Sequence, residues 1–212
     1  MMSDAVLHYV YDPLCGWCYG AAPLLKAASA VAGLGIEIHG GGLWVGERRQ
    51  PMGPALRDYV RPHDQRIEAM TGQHFGERYF NQLLLDERRV LDSEPPIRAI
   101  LAVHALGGDD LQMLQRIQES HYRDGLWVGD SALLSALAEE QGIAAEAFTA
   151  ACRDADVDGH LQESAQWLRR LTGNGYPTLG LVKDGQVTSL PVARLLGHPE
   201  RCYSWLAQQL AG

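Results

Sequence analysis

The sequence predicts an α/β fold in which a β-α-β half and a β-β-α half are separated by a long all-helical insertion. Three observations carry this. A strand-like run at the N-terminus leads into a helix and then a second strand. From Leu43 to Leu171 no alternating strand pattern occurs, while apolar residues recur at three- and four-residue spacing. An Asp-Gly turn between two short apolar runs then returns β character before a last amphipathic helix.

Taken in order, Ala5 to Tyr11 is β-branched and aromatic, which predicts a strand. Gly20 to Val31 follows with Ala21, Leu24, Leu25, Ala28 and Val31 on one helical face, and Pro23 is expected to kink that helix. Ile36 to His39, reached through Gly33 and Gly35, reads as a second strand parallel to the first. Gly40-Gly41-Gly42 lacks the Gly-Lys-Ser/Thr ending of a phosphate loop, so a flexible strand exit is expected.

In the insertion, Leu111, Leu114 and Ile117 mark one helix, and Leu133, Leu134 and Leu137 another. Leu161, Ala165, Leu168 and Leu171 mark a third. Ser93 and Asp130-Ser131 read as helix starts; Gly72, Gly107-Gly108, Gly125 and Gly142 read as ends or turns. The hairpin spans Thr178–Val182 and Gln186–Leu190. The closing helix runs from about His198 to Leu210, with Cys202, Trp205, Leu206 and Leu210 inward. The expected organisation is one domain from residues 1–45 and 172–212, with 46–171 as an inserted helical domain.

The 212 residues carry a net charge of −8, which argues against nucleic acid or an anionic membrane as partner, since both need a basic surface. The longest apolar stretch, Ala99 to Leu106, is too short to span a bilayer. No basic run and apolar core precede Ala5, so no signal peptide and a cytoplasmic location are expected. No oligomeric state follows from the sequence. Cys152 and Cys202 each sit one helical turn from aromatic or aliphatic residues and read as buried apolar positions.

The remaining cysteines form Cys15-Gly16-Trp17-Cys18 at the strand-to-helix junction. Half a zinc site is one reading, but the sequence offers no second Cys-x-x-Cys or Cys-x-x-His and only scattered histidines, so no metal is expected. The other is a redox dithiol. A helix N-terminus favours a thiolate, the form that attacks disulfides. Cys15, at the helix start, is expected to be the exposed nucleophile, and Cys18, one turn inward, the shielded resolving thiol.

With Pro23 after the cysteines and Pro177 in Gly175-Tyr176-Pro177-Thr178, the chain resembles the thioredoxin superfamily. The long helical insertion is similar to that of DsbA-like proteins. Asp12-Pro13-Leu14-Cys15-Gly16-Trp17-Cys18-Tyr19-Gly20 is similar to their cytoplasmic protein-disulfide-isomerase branch, near the FrnE type. The resemblance implies a cis Tyr176–Pro177 bond, with the Tyr176 backbone left to pair with an extended substrate beside Cys15. It further implies a thiol–disulfide oxidoreductase or isomerase with no bound cofactor, glutathione or thioredoxin as electron partner, and a disulfide- or dithiol-containing protein or small thiol as substrate. FrnE carries a second cysteine motif near its C-terminus; here Cys202 stands alone, so no relay to a second dithiol is expected. Gly16-Trp17 differs from the usual pairs of both thioredoxin and DsbA and leaves the direction of exchange open. A rival of the same fold is the glutathione-binding kappa-class transferase and chromene-carboxylate isomerase type, which usually presents serine where Cys15 stands.

Asp12 has two readings: a carboxylate acting on the cysteines, or a cap for the helix N-terminus. Trp17 is expected to shield the sulfurs and line the substrate groove. His104 and Trp167 read as core residues rather than site residues.

Overall fold

A computed structural model describes residues 5–211. β1 (Ala5–Tyr11) leads to α1 (Gly16–Gly20) and α2 (Ala22–Ser29), and β2 (Leu34–Gly40) pairs parallel with β1. The expected kinked helix is two helices meeting at Ala21. Pro23, with no N–H to donate, falls in the first turn of α2, where a helix needs none, and so it restarts the helix. The insertion opens with a two-residue strand, β3 (Gln50–Pro51), which pairs antiparallel with β4 (Val90–Leu91). Two residues are too few to leave an alternating pattern in a segment expected to be all-helical.

Between and beyond these run α3 (Pro54–Thr71), α4 (Glu77–Asn81), α5 (Glu94–Ala105) and α6 (Asp110–Gln118), which passes into a π-helical turn at Glu119–Arg123. α7 (Ser131–Glu139), α8 (Ala145–Asp154) and α9 (Val157–Arg170) complete the helical stretch. β5 (Thr178–Lys183), β6 (Gln186–Ser189), α10 (Val192–Leu195) and α11 (Pro199–Ala211) close the chain.

Sequence chemistry explains several boundaries. Asp130 accepts the Ala132 N–H at the start of α7, and Gly72 ends α3 at φ 73°, where a side chain is strained. Asp184 and Gly185 both take positive φ in the β5–β6 turn, as a tight hairpin requires. The third predicted stripe is partly wrong. Ala165 is exposed, and α9 turns Val157 and Ser164 inward, with Leu161, Trp167 and Leu168 half-buried. Polar Ser164 and amphipathic Trp167 hid that face from a purely apolar count.

The sheet runs β2-β1-β5-β6, with β5 antiparallel to β1 and β6 antiparallel to β5. β1 is therefore central and buried along nearly its whole length. Its side chains alternate between two covered faces. The Tyr9 hydroxyl donates to the Cys18 carbonyl on one face, and His8 stacks on Trp167 of α9 on the other. α11 packs against α2, bringing the buried Cys202 thiol to the Leu24 carbonyl. Cys152, expected to be buried, is only half so. One contiguous apolar core joins strand residues Leu7 and Leu181 to Phe80, Ile100 and Ile117 of the insertion. Among the described residues no helix is long and apolar enough to cross a membrane.

Candidate active site

The Asp12-Pro13-Leu14 loop leaving β1 delivers Cys15 to the N-cap of α1, with extended backbone at φ −99°, ψ 115°. The Cys15 N–H donates to the Asp12 carbonyl at 3.2 Å, and the Cys15 carbonyl accepts from Cys18 and Tyr19 N–H at 2.9 and 3.1 Å. One turn of helix therefore separates the two thiols. Cys18 is fully buried, as expected; Cys15 is only 9% exposed, against the expectation of an open thiol. The loop before β5 covers it: the Cys15 thiol donates to the Tyr176 carbonyl at 3.6 Å.

Burial, then the hydrogen bond and charge of Cys15, push the Cys18 thiol well above its ordinary range. The Asp12 N–H donating to Cys18 Sγ at 3.5 Å opposes this only weakly. As it stands, Cys18 is a poor nucleophile that needs a partner to take its proton.

Gly16 and Gly20 let α3 lie directly on α1. A Cβ at Gly16 would come 2.6 Å from Asp64 Oδ1, and one at Gly20 2.6 Å from Ile67 Cγ2. Trp17 is half-buried, with the Arg66 guanidinium 5.8 Å from its ring centroid. Asp64, unremarked in the sequence, is buried under this helix and accepts the Tyr79 hydroxyl at 3.0 Å. Burial raises its carboxyl from 3.8 to about 7. Its folded-state pKa lies above the unfolded value, so the folded state binds the proton more tightly. The associated stability is full below pH 4 and is lost as pH rises towards 7. At about 1.4 kcal/mol per pH unit, the ionised form is disfavoured by a few kcal/mol. Asp64→Asn, neutral at every pH, is therefore expected to be more stable than the parent in urea at pH 8 and no more stable at pH 4. Parallel stability profiles for the two proteins would contradict this.

The Tyr176–Pro177 bond is cis. The Tyr176 hydroxyl donates to the Gly41 carbonyl at 2.6 Å, and a Cβ on Gly41 would lie 2.1 Å from the tyrosine ring. Gly41 is thus not part of a flexible exit but the seat for Tyr176, bare because an aromatic ring fills the space a side chain would need. Asp12 is completely buried and does not cap α1, which has no side-chain cap. Its Oδ1 accepts Leu14 N–H at 2.8 Å and the Ser93 hydroxyl at 3.0 Å; its Oδ2 accepts Leu43 N–H at 2.5 Å. Burial pushes its carboxyl up to about 6, against the pull of these three bonds. Ser93 is a second site residue the sequence does not reveal: it starts α5, as expected, but its hydroxyl makes no cap bond and goes to Asp12 instead.

The structure thus brings Asp12, Cys15, Gly16, Trp17, Cys18, Tyr176 and Pro177 together. It leaves His104 and Trp167 elsewhere, and neither is a core residue. His104 is exposed and paired with Asp110 at 3.0 Å; Trp167 is half-buried on the far face of the sheet.

The profile of the DSBA-like thioredoxin domain matches residues 6–196. Among solved structures, the cytosolic disulfide reductase DsbM from Pseudomonas aeruginosa is similar at 44% identity and a TM-score of 0.89, over 97% of this chain and 98% of that one. A structure of the same reductase with GSH is similar at 43% identity and a TM-score of 0.88, over 98% and 100% of the two chains. A 2-hydroxychromene-2-carboxylate isomerase shares the fold at 16% identity and a TM-score of 0.60, over 97% and 98%. No protein of curated function matches the sequence.

Proposed function

The chain belongs to the DsbA-like thioredoxin-domain family, and from that membership we propose that this thiol–disulfide oxidoreductase works as a cytosolic, glutathione-driven disulfide reductase with Cys15 as nucleophile and Cys18 as resolving thiol. The observation that carries the assignment of roles is the position of the two sulfurs. Cys15 Sγ faces the Tyr176 carbonyl at the loop before β5, while Cys18 is buried behind it.

The steps follow from those positions. Cys15 thiolate attacks one sulfur of a substrate disulfide; the S–S bond breaks, the first substrate thiolate leaves, and a Cys15–substrate disulfide remains. Asp12, whose backbone N–H donates to Cys18 Sγ and whose buried carboxyl is pushed up to about 6, is assigned the role of accepting the Cys18 proton. Cys18 thiolate then attacks Cys15 Sγ, releasing the second substrate thiolate and leaving a Cys15–Cys18 disulfide. Two glutathione molecules restore the dithiol and leave as oxidised glutathione, so two electrons pass from glutathione to the substrate. Before the proline, the Tyr176 backbone is assigned to pair with an extended peptide, and half-buried Trp17 to shield the sulfurs on the substrate side.

A reductive direction is supported by the similarity to a protein described as a disulfide reductase and seen with GSH. The chromene-carboxylate isomerase reading has only the shared fold in its favour. The test is the Cys15/Cys18 reduction potential in glutathione buffers. A reductase predicts a value between about −270 and −200 mV, in the thioredoxin and glutaredoxin range. A value near about −120 mV, where DsbA lies, would make the protein an oxidant and overturn the direction.

A further inference from the structure

On the sheet face opposite the dithiol, three metal-ligating side chains converge from adjacent strands. His8 on β1 is in register with Glu37 on β2, and His39 lies two residues further along the same face of β2. His8 Nδ1 is 3.0 Å from His39 Nε2 and 3.4 Å from Glu37 Oε2, and the three donor atoms all lie within 4.8 Å of one another. Two donors held about 2.0–2.2 Å from one tetrahedral zinc ion stand about 3.3–3.6 Å apart, so the His8–His39 and His8–Glu37 spacings are already close to those of a coordination sphere. We infer that His8, His39 and Glu37 form a binding site for one divalent cation of the zinc type, with solvent completing the shell.

Several features fit such an ion. Both imidazoles are buried and Glu37 is largely exposed, so the carboxylate is free to swing onto an ion that the histidines hold. Burial of both rings favours their uncharged form, the state that binds metal. Trp167 stacks on His8 at 3.6 Å and on His39 at 5.2 Å between ring centroids, fixing both ring planes from the side and leaving their edges facing each other. A cavity of about 400 Å³ bordered by Glu37, His39, His160, Glu163 and Asp110 supplies an acidic approach. His160 is not a ligand, because its Nε2 already accepts the Gly40 N–H at 2.9 Å. The Arg170 guanidinium, 4.6 Å from the Trp167 ring, opposes a cation beside His8. A hydrogen-bonded histidine pair with no metal function is the alternative that the test must exclude.

The inference does not rest on the redox reading, and its test removes the dithiol, since thiols also bind zinc. The Cys15→Ser/Cys18→Ser protein is titrated with zinc chloride against a chromophoric chelator, and with cobalt(II) followed by visible absorption. The expected result is one zinc per chain, a cobalt spectrum without sulfur-to-metal charge transfer, and a change in tryptophan emission that Trp167→Phe removes. His39→Gln is expected to weaken zinc about a hundredfold and Glu37→Gln about tenfold, by loss of one ligand each. Glu37 is exposed, so that second variant keeps the test open should the first fail to fold. No zinc retained against the chelator, or unchanged affinity in Glu37→Gln and His39→Gln, would overturn the inference.

Discussion

Cys15→Ser is expected to lose glutathione-driven disulfide turnover by at least about a thousandfold, the usual scale for removing an attacking nucleophile. The substitution leaves the fold almost untouched. Serine is nearly isosteric, its hydroxyl still points at the Tyr176 carbonyl, and the backbone bonds that place residue 15 at the N-cap of α1 involve no side chain. Loss of turnover with an unchanged unfolding midpoint therefore assigns the effect to chemistry. Cys152→Ser and Cys202→Ser serve as controls. Cys202 is buried between α11 and α2, and burial raises both thiols, so neither change is expected to slow turnover appreciably. Residual turnover in Cys15→Ser within tenfold of the parent would remove Cys15 from the mechanism.

Asp12→Asn is expected to slow the resolving step by about a hundredfold or more, the scale of one lost general base. The step to measure is the attack of Cys18 on a preformed Cys15 mixed disulfide, followed by rapid mixing across pH 5–9. In the parent the rate rises as pH passes through about 6, because Asp12 must be ionised to accept a proton. In Asp12→Asn that limb disappears and the rate follows only the high pKa of Cys18 itself. Some stability is lost as well. Asp12 accepts from Leu14, Leu43 and Ser93, and an amide turns two N–H donors towards that set, at about 1–3 kcal/mol for a buried donor left without a partner. The pH profile separates the two effects, since a merely structural role lowers the rate without removing the limb. An unchanged profile would reduce Asp12 to the residue that holds the Leu43 and Leu14 loops in place.

Much of this was legible in the chain because local chemistry and tertiary placement agree there. Apart from His8, Ala5–Tyr11 is apolar or aromatic on both faces since β1 is covered on both. Asp184-Gly185 dictates its own turn, and Cys15-Gly16-Trp17-Cys18 sits where a strand meets a helix. What stayed hidden depends on partners far away in sequence. Nothing near Ser93 says that its hydroxyl crosses 81 positions to Asp12. Gly41 looks like a loop residue until the Tyr176 ring, 135 positions later, is placed against it. Asp64 is an ordinary acid on a polar helix whose burial comes from distant partners, Gly16 on one side and Tyr79 on the other. The histidines read as scattered because His8 and His39 lie 31 positions apart and meet only through strand register. Trp167 was misplaced for the opposite reason: a tryptophan on an amphipathic helix invites a core assignment, and here it lies flat over two imidazoles instead.

The central claim is that Cys15 attacks and Cys18 resolves, and trapping tests it most directly. Cys18→Ser protein is incubated with oxidised glutathione at neutral pH, quenched in acid, and analysed by intact mass and peptide mapping. The account predicts one glutathionyl group per chain, attached at Cys15, with no such adduct in Cys15→Ser. Failure of Cys18→Ser to form the adduct, or an adduct of equal yield in Cys15→Ser, would contradict it.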